Sequence, residues 1–218
     1  MARFQVGAED KAQSVHYFQS SSQTYHGQVE RGRLKHLRAR ERQAVFDLAR
    51  FHQCSGRMID IGCGTGVYAL AAKAVGLSVT AIDVSPWAID QLRGKVDVAL
   101  VGDVECLELA GGYEIVICAG VLDYVSDPAI AFKNLCHLVG PAGRLVILVP
   151  RVGIGGSVHA LIAKLSFGLR VNLFDRVWLA REARRWGLEL VQTRRPLPHN
   201  LVALFAPNNR PAQEATIG

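Results

Sequence analysis

Ten residues, Met58-Ile-Asp-Ile-Gly-Cys-Gly-Thr-Gly-Val67, restrict the fold more than any other stretch of the chain. An apolar run broken only by Asp60 meets three glycines at alternate positions, Gly62, Gly64 and Gly66, and past Val67 the pattern turns Ala-rich and helical. This is a strand entering a tight loop and leaving as a helix. Glycine adopts positive φ and lets a neighbour approach the backbone without a Cβ in the way. The first amides of the following helix have no intrahelical acceptor. Such a loop suits a nucleotide-like cofactor at the carboxyl edge of a sheet. Dinucleotide loops read G-x-G-x-x-G and triphosphate loops G-x-x-x-x-G-K-[ST]; the spacing G-x-G-x-G fits neither.

Around this loop, short apolar runs alternate with helical patterns. The spacing predicts strands at Met58–Ile61, Ser78–Asp83, Val98–Gly102, Ile115–Ala119, Leu145–Pro150, Leu188–Gln192 and Leu201–Ala206. Their apolar content is continuous rather than alternating, as in strands covered on both faces. Ser85-Pro86 and Asp127-Pro128 each place an N-cap before a proline at the first helical position, and Gly187 stops a helix holding Leu179, Ala183 and Trp186. Strand–helix alternation over 218 residues predicts one α/β domain with a mostly parallel sheet. Only Thr193–Asn200 separates the last two strands, so they form an antiparallel hairpin. Residues 1–15 read as a frayed leader. Arg33 to Phe51 carries an apolar stripe (Leu34, Leu37, Ala44, Val45, Leu48) flanked by Lys35, Arg38, Arg40, Glu41 and Arg42, a solvated basic face. The expected organisation is a helical cap over residues 1–54, a core over 55–206 and a flexible tail over 207–218.

Composition closes off several classes. The five cysteines are odd in number and without C-x-x-C spacing, which argues against a disulfide framework or zinc site and for a reducing, cytoplasmic setting. The seven histidines show no H-E-x-x-H spacing, so no metal is expected. Met1 to Lys11 lacks the apolar run of a signal peptide. The most apolar helical stretch, Val158 to Leu169, is too short to span a bilayer. The net charge of +6 attracts an anionic partner only weakly, and no DNA partner is expected. Oligomeric state is left open.

Asp83 closes the second strand in Thr-Ala-Ile-Asp-Val-Ser, and Asp103 closes the third in Leu-Val-Gly-Asp-Val. With Asp60 and the glycine loop, the order D-x-G-x-G-x-G, acid, acid resembles the class I S-adenosylmethionine-dependent methyltransferases, of the kind that act on small molecules in quinone and tetrapyrrole biosynthesis. The likeness continues through Tyr113-Glu-Ile-Val-Ile-Cys-Ala-Gly-Val-Leu-Asp-Tyr-Val and Leu138-Val-Gly-Pro-Ala-Gly, where Ala142 replaces a frequent glycine, and covers about residues 55–206. It implies a Rossmann-like seven-stranded sheet in the order 3-2-1-4-5-7-6, strand seven antiparallel. It implies S-adenosylmethionine as cofactor and S-adenosylhomocysteine as product. The cofactor residues it implies are Asp60, Gly62, Cys63, Gly64 and Gly66 in the loop, with Asp83 and Val84 at the ribose. Asp103 and Val104 follow at the adenine, with Cys118 on the fourth strand. The lead-in Val15-His-Tyr-Phe-Gln-Ser-Ser-Ser-Gln-Thr-Tyr-His26 resembles a segment that folds over the cofactor, which adds Tyr17 or Tyr25.

Methyl transfer is an in-line displacement that mainly needs the reactants held in line; a base is required only for a protonated nucleophile. After the fourth strand, Asp123 is the candidate base and Tyr124 a pocket wall; Asp123 as a turn cap and Tyr124 as core are the structural alternatives. His26 and His159 are further candidates. In the resemblance, residues 151–175 form a substrate lid. Its apolar stripe (Val158, Leu161, Ile162, Leu165, Leu169) points to a hydrophobic or aromatic small-molecule acceptor, and packing onto the sheet is the alternative. Two other readings stay open: a partner subunit that binds cofactor without turnover, and an RNA methyltransferase, against which stands Ala119-Gly-Val-Leu-Asp-Tyr in place of an N/D-P-P-Y motif.

Overall fold

The computed structural model describes residues 1–31 and 35–208, with side chains throughout except at 21–31. Two helices come first, α1 (Ala8–Arg31) and α2 (Lys35–Ala49). Then β1 (Arg57–Ile61), α3 (Val67–Ala74), β2 (Ser78–Asp83), α4 (Pro86–Leu92) and β3 (Val98–Val101) follow as strand–helix units. The second half runs β4 (Tyr113–Ala119), α5 (Pro128–Leu138), β5 (Val139–Pro150), α6 (Ile154–Phe167), α7 (Arg176–Arg185), β6 (Leu188–Arg194) and β7 (Asn200–Pro207).

The seven strands form one sheet in the order β3-β2-β1-β4-β5-β7-β6. Pairs from β3 through β5 are parallel, and β7 lies antiparallel to both β5 and β6. This is the predicted Rossmann-like sheet, and the order reverses between β1 and β4, the position where doubly wound sheets open a ligand crevice.

The strands read as continuous apolar runs because both faces are covered. On β4, Val116 and Cys118 face a core shared with Phe132 and Leu135 of α5 and Leu179 of α7. Their neighbours Ile115 and Ile117 face Val45 and Leu48 of α2, Ala69 of α3 and Ile89 of α4. Local signals set the helix starts: the Ser85 hydroxyl accepts from the Ala88 amide, and Asp127 accepts from the Ala129 and Ile130 amides.

Three expectations change. β5 begins at Val139 rather than Leu145, because Val139 already pairs with Tyr113 and residues 140–143 bulge from the ladder before Arg144 pairs with Ile115. Residues 1–15 are anchored rather than frayed: Arg3 bridges Leu173, Val6 is buried, and the Gln5 and Val6 amides donate to Asn172 Oδ1. The basic face of α2 is only partly solvated. Glu41 is buried and Arg38 half-buried, because Glu41 lies on the same helical row as Val45 and Leu48. Of the predicted tail, 209–218 lie outside the described residues.

Candidate active site

The glycine loop runs under the carboxyl edge of β2. The Gly62 and Cys63 amides both donate to the Ile82 carbonyl, at 2.7 and 3.0 Å. Gly62 has φ +69°, and a Cβ there would meet Val121 Cγ2 at 2.0 Å. Gly66 has φ +76°, and its Cβ would meet Leu92 at 2.4 Å. Both positions require glycine on conformation and on space. Gly66 has no side chain to cap α3; Asp60 takes the Ala69 amide from below, and the earlier amides of the first turn, which have no intrahelical acceptor, face the loop.

A cavity of about 260 Å³ opens over this edge. Its lining brings together Gly62, Cys63, Gly64, Asp83 and Val84 at the glycine-loop end with Asp103 and Val104 beyond. At the other end the same cavity is lined by Asp123, Tyr124 and His159. Four predicted residues stand elsewhere. Asp60 lies beneath the loop, 1 % exposed, its Oδ2 accepting from the Ala69 amide. Gly66 turns the chain behind the lining, Cys118 is buried in the core, and Tyr17 packs on Phe18 and Phe167. The side chains of Tyr25 and His26 lie outside the described residues.

Asp83 ties the edge together, accepting from the Gly64 amide through Oδ2 and from the Ser85 amide through Oδ1, both at 2.9 Å. Asp103 accepts from the Glu105 amide and pairs with Lys11 Nζ of α1 at 2.7 Å. Lys11 also meets Glu105 at 2.5 Å. Burial depresses the Lys11 ammonium, but the bonds to Asp103 and Glu105 outweigh that and hold its pKa above the usual lysine value. Farther along α1, Gln19 Nε2 donates to the Val84 carbonyl, and Phe18 packs edge-on to Tyr124 at 5.1 Å. Helix α1 is thus the roof of the cavity.

The inner end is built on Asp123. It is 7 % exposed, and its Oδ1 has no hydrogen-bond partner among the described residues. Burial pushes its carboxyl up to about 8, partly opposed by the Arg38 guanidinium. Burial, reinforced by His199 and Arg38, pushes His159 down to about 4; the two imidazoles stack 5.0 Å apart. At neutral pH both groups facing this end are therefore mostly uncharged.

Several lining residues were not anticipated. Lys11 and Ser14 sit in the supposed leader, and Arg38, Glu41 and Arg42 on the supposed solvated face. Asn200 Nδ2 donates to Glu41 Oε1, and Arg38 Nη1 to Glu41 Oε2 at 2.9 Å. An acid in phase with an apolar stripe was the signal for Glu41. No local signal marks Asn172, 0 % exposed, whose Oδ1 holds the Gln5 and Val6 amides of the N-terminal segment.

Similarity to known proteins agrees with this architecture. Residues 30–193, about three-quarters of the chain, match a family model described as a methyltransferase domain. The mitochondrial ubiquinone biosynthesis O-methyltransferase of Schizosaccharomyces pombe is 33% identical over 146 residues, 61% of this chain and 53% of the relative. The ubiquinone biosynthesis O-methyltransferase of Aromatoleum aromaticum is 35% identical over 97 residues, 41% of this chain and 42% of the relative. The chain spans about half the length of the curated relatives it matches. Among solved structures, magnesium protoporphyrin IX methyltransferase from Synechocystis PCC 6803 with bound SAH superposes with a TM-score of 0.73 at 17% identity, over 90% of this chain and 99% of that one. The Burkholderia thailandensis 1,6-didemethyltoxoflavin-N1-methyltransferase gives 0.70 at 20% identity, over 95% and 92%. At these identities the structures establish the fold, and the family model establishes the relationship: this chain belongs to the methyltransferase-domain family.

Proposed function

We propose that the chain binds S-adenosylmethionine along the glycine loop and transfers its methyl group to a small, hydrophobic or aromatic acceptor held at the inner end of the cavity. The observation that carries this reading is the joining, in one cavity, of the glycine loop and Asp83 to Asp123, a buried acid whose Oδ1 is unpartnered. The residues fit such a cofactor. Gly64 and Thr65 line the cavity where a Cβ-poor backbone admits close approach. Asp83 at the strand end suits ribose hydroxyls, and the Lys11–Asp103 pair closes the far end.

When bound, the cofactor supplies a methyl group on a positively charged sulfur and leaves as the neutral thioether. The chain's own part is to bind, align and accept a proton. With the cofactor held along Gly62, Gly64 and Asp83, the Asp123 carboxylate would take at Oδ1 the proton that an acceptor hydroxyl gives up on being methylated. Charge balances, because the proton stays on Asp123 until solvent removes it. Tyr124, Phe18 and Leu148 line this end as apolar walls, which suits a planar acceptor. Residues 1–54 act as a cap through α1 and α2. We place the protein in the cytoplasm, in keeping with five free cysteines; no described helix is long and apolar enough to cross a membrane.

Titration calorimetry with S-adenosylmethionine and S-adenosylhomocysteine tests the reading. Micromolar binding of both, followed by acceptor-dependent formation of S-adenosylhomocysteine from an aromatic hydroxyl compound, is the expected result. Folded protein that binds neither overturns it.

A further inference from the structure

Helix α6 is built inside out. Its inward face carries small residues, Gly156 and Ala163 buried and Ala160 packed with Val171 and Leu173. Its outward face carries the large ones: Ile154 is 88 % exposed, Leu165 77 %, Leu161 56 %, Ile162 54 % and Val158 51 %. At 100° per residue these five fall within one narrow stripe opposite Gly156 and Ala163. A water-facing helix normally turns this stripe to the core, and no other helix of the described residues shows such a row of exposed large apolar side chains. Four of the five residues of the expected lid stripe, Val158, Leu161, Ile162 and Leu165, therefore face outward, while the fifth, Leu169, lies past the end of α6 and is buried.

Charge identifies the occupant. From Arg151 to Arg170 the chain has no Asp or Glu, while Arg151, Lys164 and Arg170 carry positive charge. Arg3 adds another beside Ile154, Val158 and Leu161, which line a shared groove with it. Asp10 pairs with the Arg170 guanidinium at 3.4 Å through Oδ1 and accepts from the Gly7 amide through Oδ2, which leaves Arg3 and Lys164 without an acid beside them among the described residues. An apolar stripe bordered by cations is the pattern of a helix lying in the plane of an anionic bilayer surface. A second copy of the chain fits less well. A fourteen-residue helix is about 21 Å long and about 10 Å wide, roughly 200 Å² of face, against the ~800 Å² per partner of a standard interface. Two copies would also set like charges together.

We propose that α6 docks the protein on anionic lipid, with Ile154, Val158, Leu161, Ile162 and Leu165 in the acyl boundary and Lys164, Arg170 and Arg3 at the headgroups. His159, on the inner side of the same helix, lines the cavity. Docking thus sets the acceptor end about one helix diameter from the membrane, which suits an acceptor dissolved in it. That last consequence rests on the methyl-transfer reading; the docking does not.

Flotation of the full chain with vesicles tests it, using pure phosphatidylcholine and roughly three parts phosphatidylcholine to one part phosphatidylglycerol. Binding to the anionic vesicles is expected to exceed binding to the neutral ones and to weaken as salt screens the charge. The Leu161→Ser/Leu165→Ser variant alters only outward side chains; it should lose at least tenfold in vesicle affinity, and Lys164→Glu severalfold. S-adenosylhomocysteine affinity in both should match wild type, so a failed cofactor titration and a failed flotation are separate results. No flotation of wild type, or equal flotation of wild type and the double serine variant, overturns the proposal. A wild-type dimer in solution that the double serine variant converts to monomer, without vesicle binding, overturns it in favour of a second copy.

Discussion

The amide of Asn172 donates to the carbonyl of Asp123 at 2.8 Å, so the candidate base is held by a residue 49 positions away, on the segment that follows α6. The Asn172 side chain extends the clamp. Its Nδ2 donates to the carbonyls of Leu122 and Val125, on either side of Asp123, and its Oδ1 accepts from the Gln5 and Val6 amides. One fully buried amide thus joins the turn after β4, the chain N-terminal to α1 and the segment leading to α7.

Asn172→Leu leaves those two amides and two carbonyls without partners. Each buried orphan costs about 1–3 kcal/mol, so the variant should lose about 3–5 kcal/mol after relaxation, or roughly 10 °C in Tm for a chain of this size. Thermal unfolding measures this. A shift under 2 °C, within ~1 kcal/mol, would show that the clamp contributes little.

A base at Asp123 fixes the pH dependence. The reactive form is the carboxylate, and burial holds its pKa up at about 8. Methyl transfer to a hydroxyl acceptor should therefore fall as pH drops through about 8 and level off above it. Asp123→Asn should remove that limb and lower kcat by about 10²–10⁴-fold. A limb near pH 4 that survives in the variant would assign the base to His159 instead.

Asp83 separates charge from scaffold. Its carboxylate holds the Gly64 and Ser85 amides in this structure, and the ribose reading gives it a second task. Asp83→Ala should cost about 2–3 kcal/mol of S-adenosylhomocysteine affinity, as for lost hydrogen bonds to a charged group. Asp83→Asn keeps an acceptor for one amide and should fall between. Calorimetry on all three forms tests this, and identical affinities would remove Asp83 from the site.

How much of this was visible beforehand follows from the range of the interactions. The strands were legible because burial on both faces writes itself into consecutive residues, as in Ile115 to Cys118. The helix starts at Ser85 and Asp127 were legible because a cap acts within three residues. Asn172 was not, since its partners lie up to 167 residues away. Periodicity found the α6 stripe but not its direction. The small residues decide that: a Cβ at Gly156 would meet the Arg151 carbonyl at 1.9 Å, and Ala160 and Ala163 pack on Val171 and Leu173. Lys11 was missed because only its pairing with Asp103 across the roof gives it meaning.

Asp60 gives a stability prediction with a definite sign. Burial raises its carboxyl to about 7, with the Ala69 amide opposing and Asp83 reinforcing. The folded state then binds a proton that the unfolded chain, near 3.8, has already released. Stability from this group is lost as pH rises from about 4 to about 7 and stays lost above. Asp60→Asn retains an oxygen for the Ala69 amide and cannot ionise. Its Tm advantage over wild type should grow across that window to the equivalent of a few kcal/mol at pH 8. A pH-independent difference would refute the assignment.

The ion pair between Arg38 and Glu41 should tune Asp123 in opposite directions. Arg38 favours the Asp123 carboxylate and Glu41 opposes it, the arginine contribution being the larger. Arg38→Met removes the favourable charge, so the activity limb should move to higher pH. Glu41→Gln removes the unfavourable charge while leaving an oxygen for Asn200, so the limb should move lower, and by less. Both side chains line the cavity, and a change in acceptor binding alone would alter KM without moving the kcat limb. Shifts of the same sign in the two variants, or none in either, would mean that the field at Asp123 is set elsewhere. Opposite shifts would tie the acid on the β4 turn to the charges that α2 carries over it.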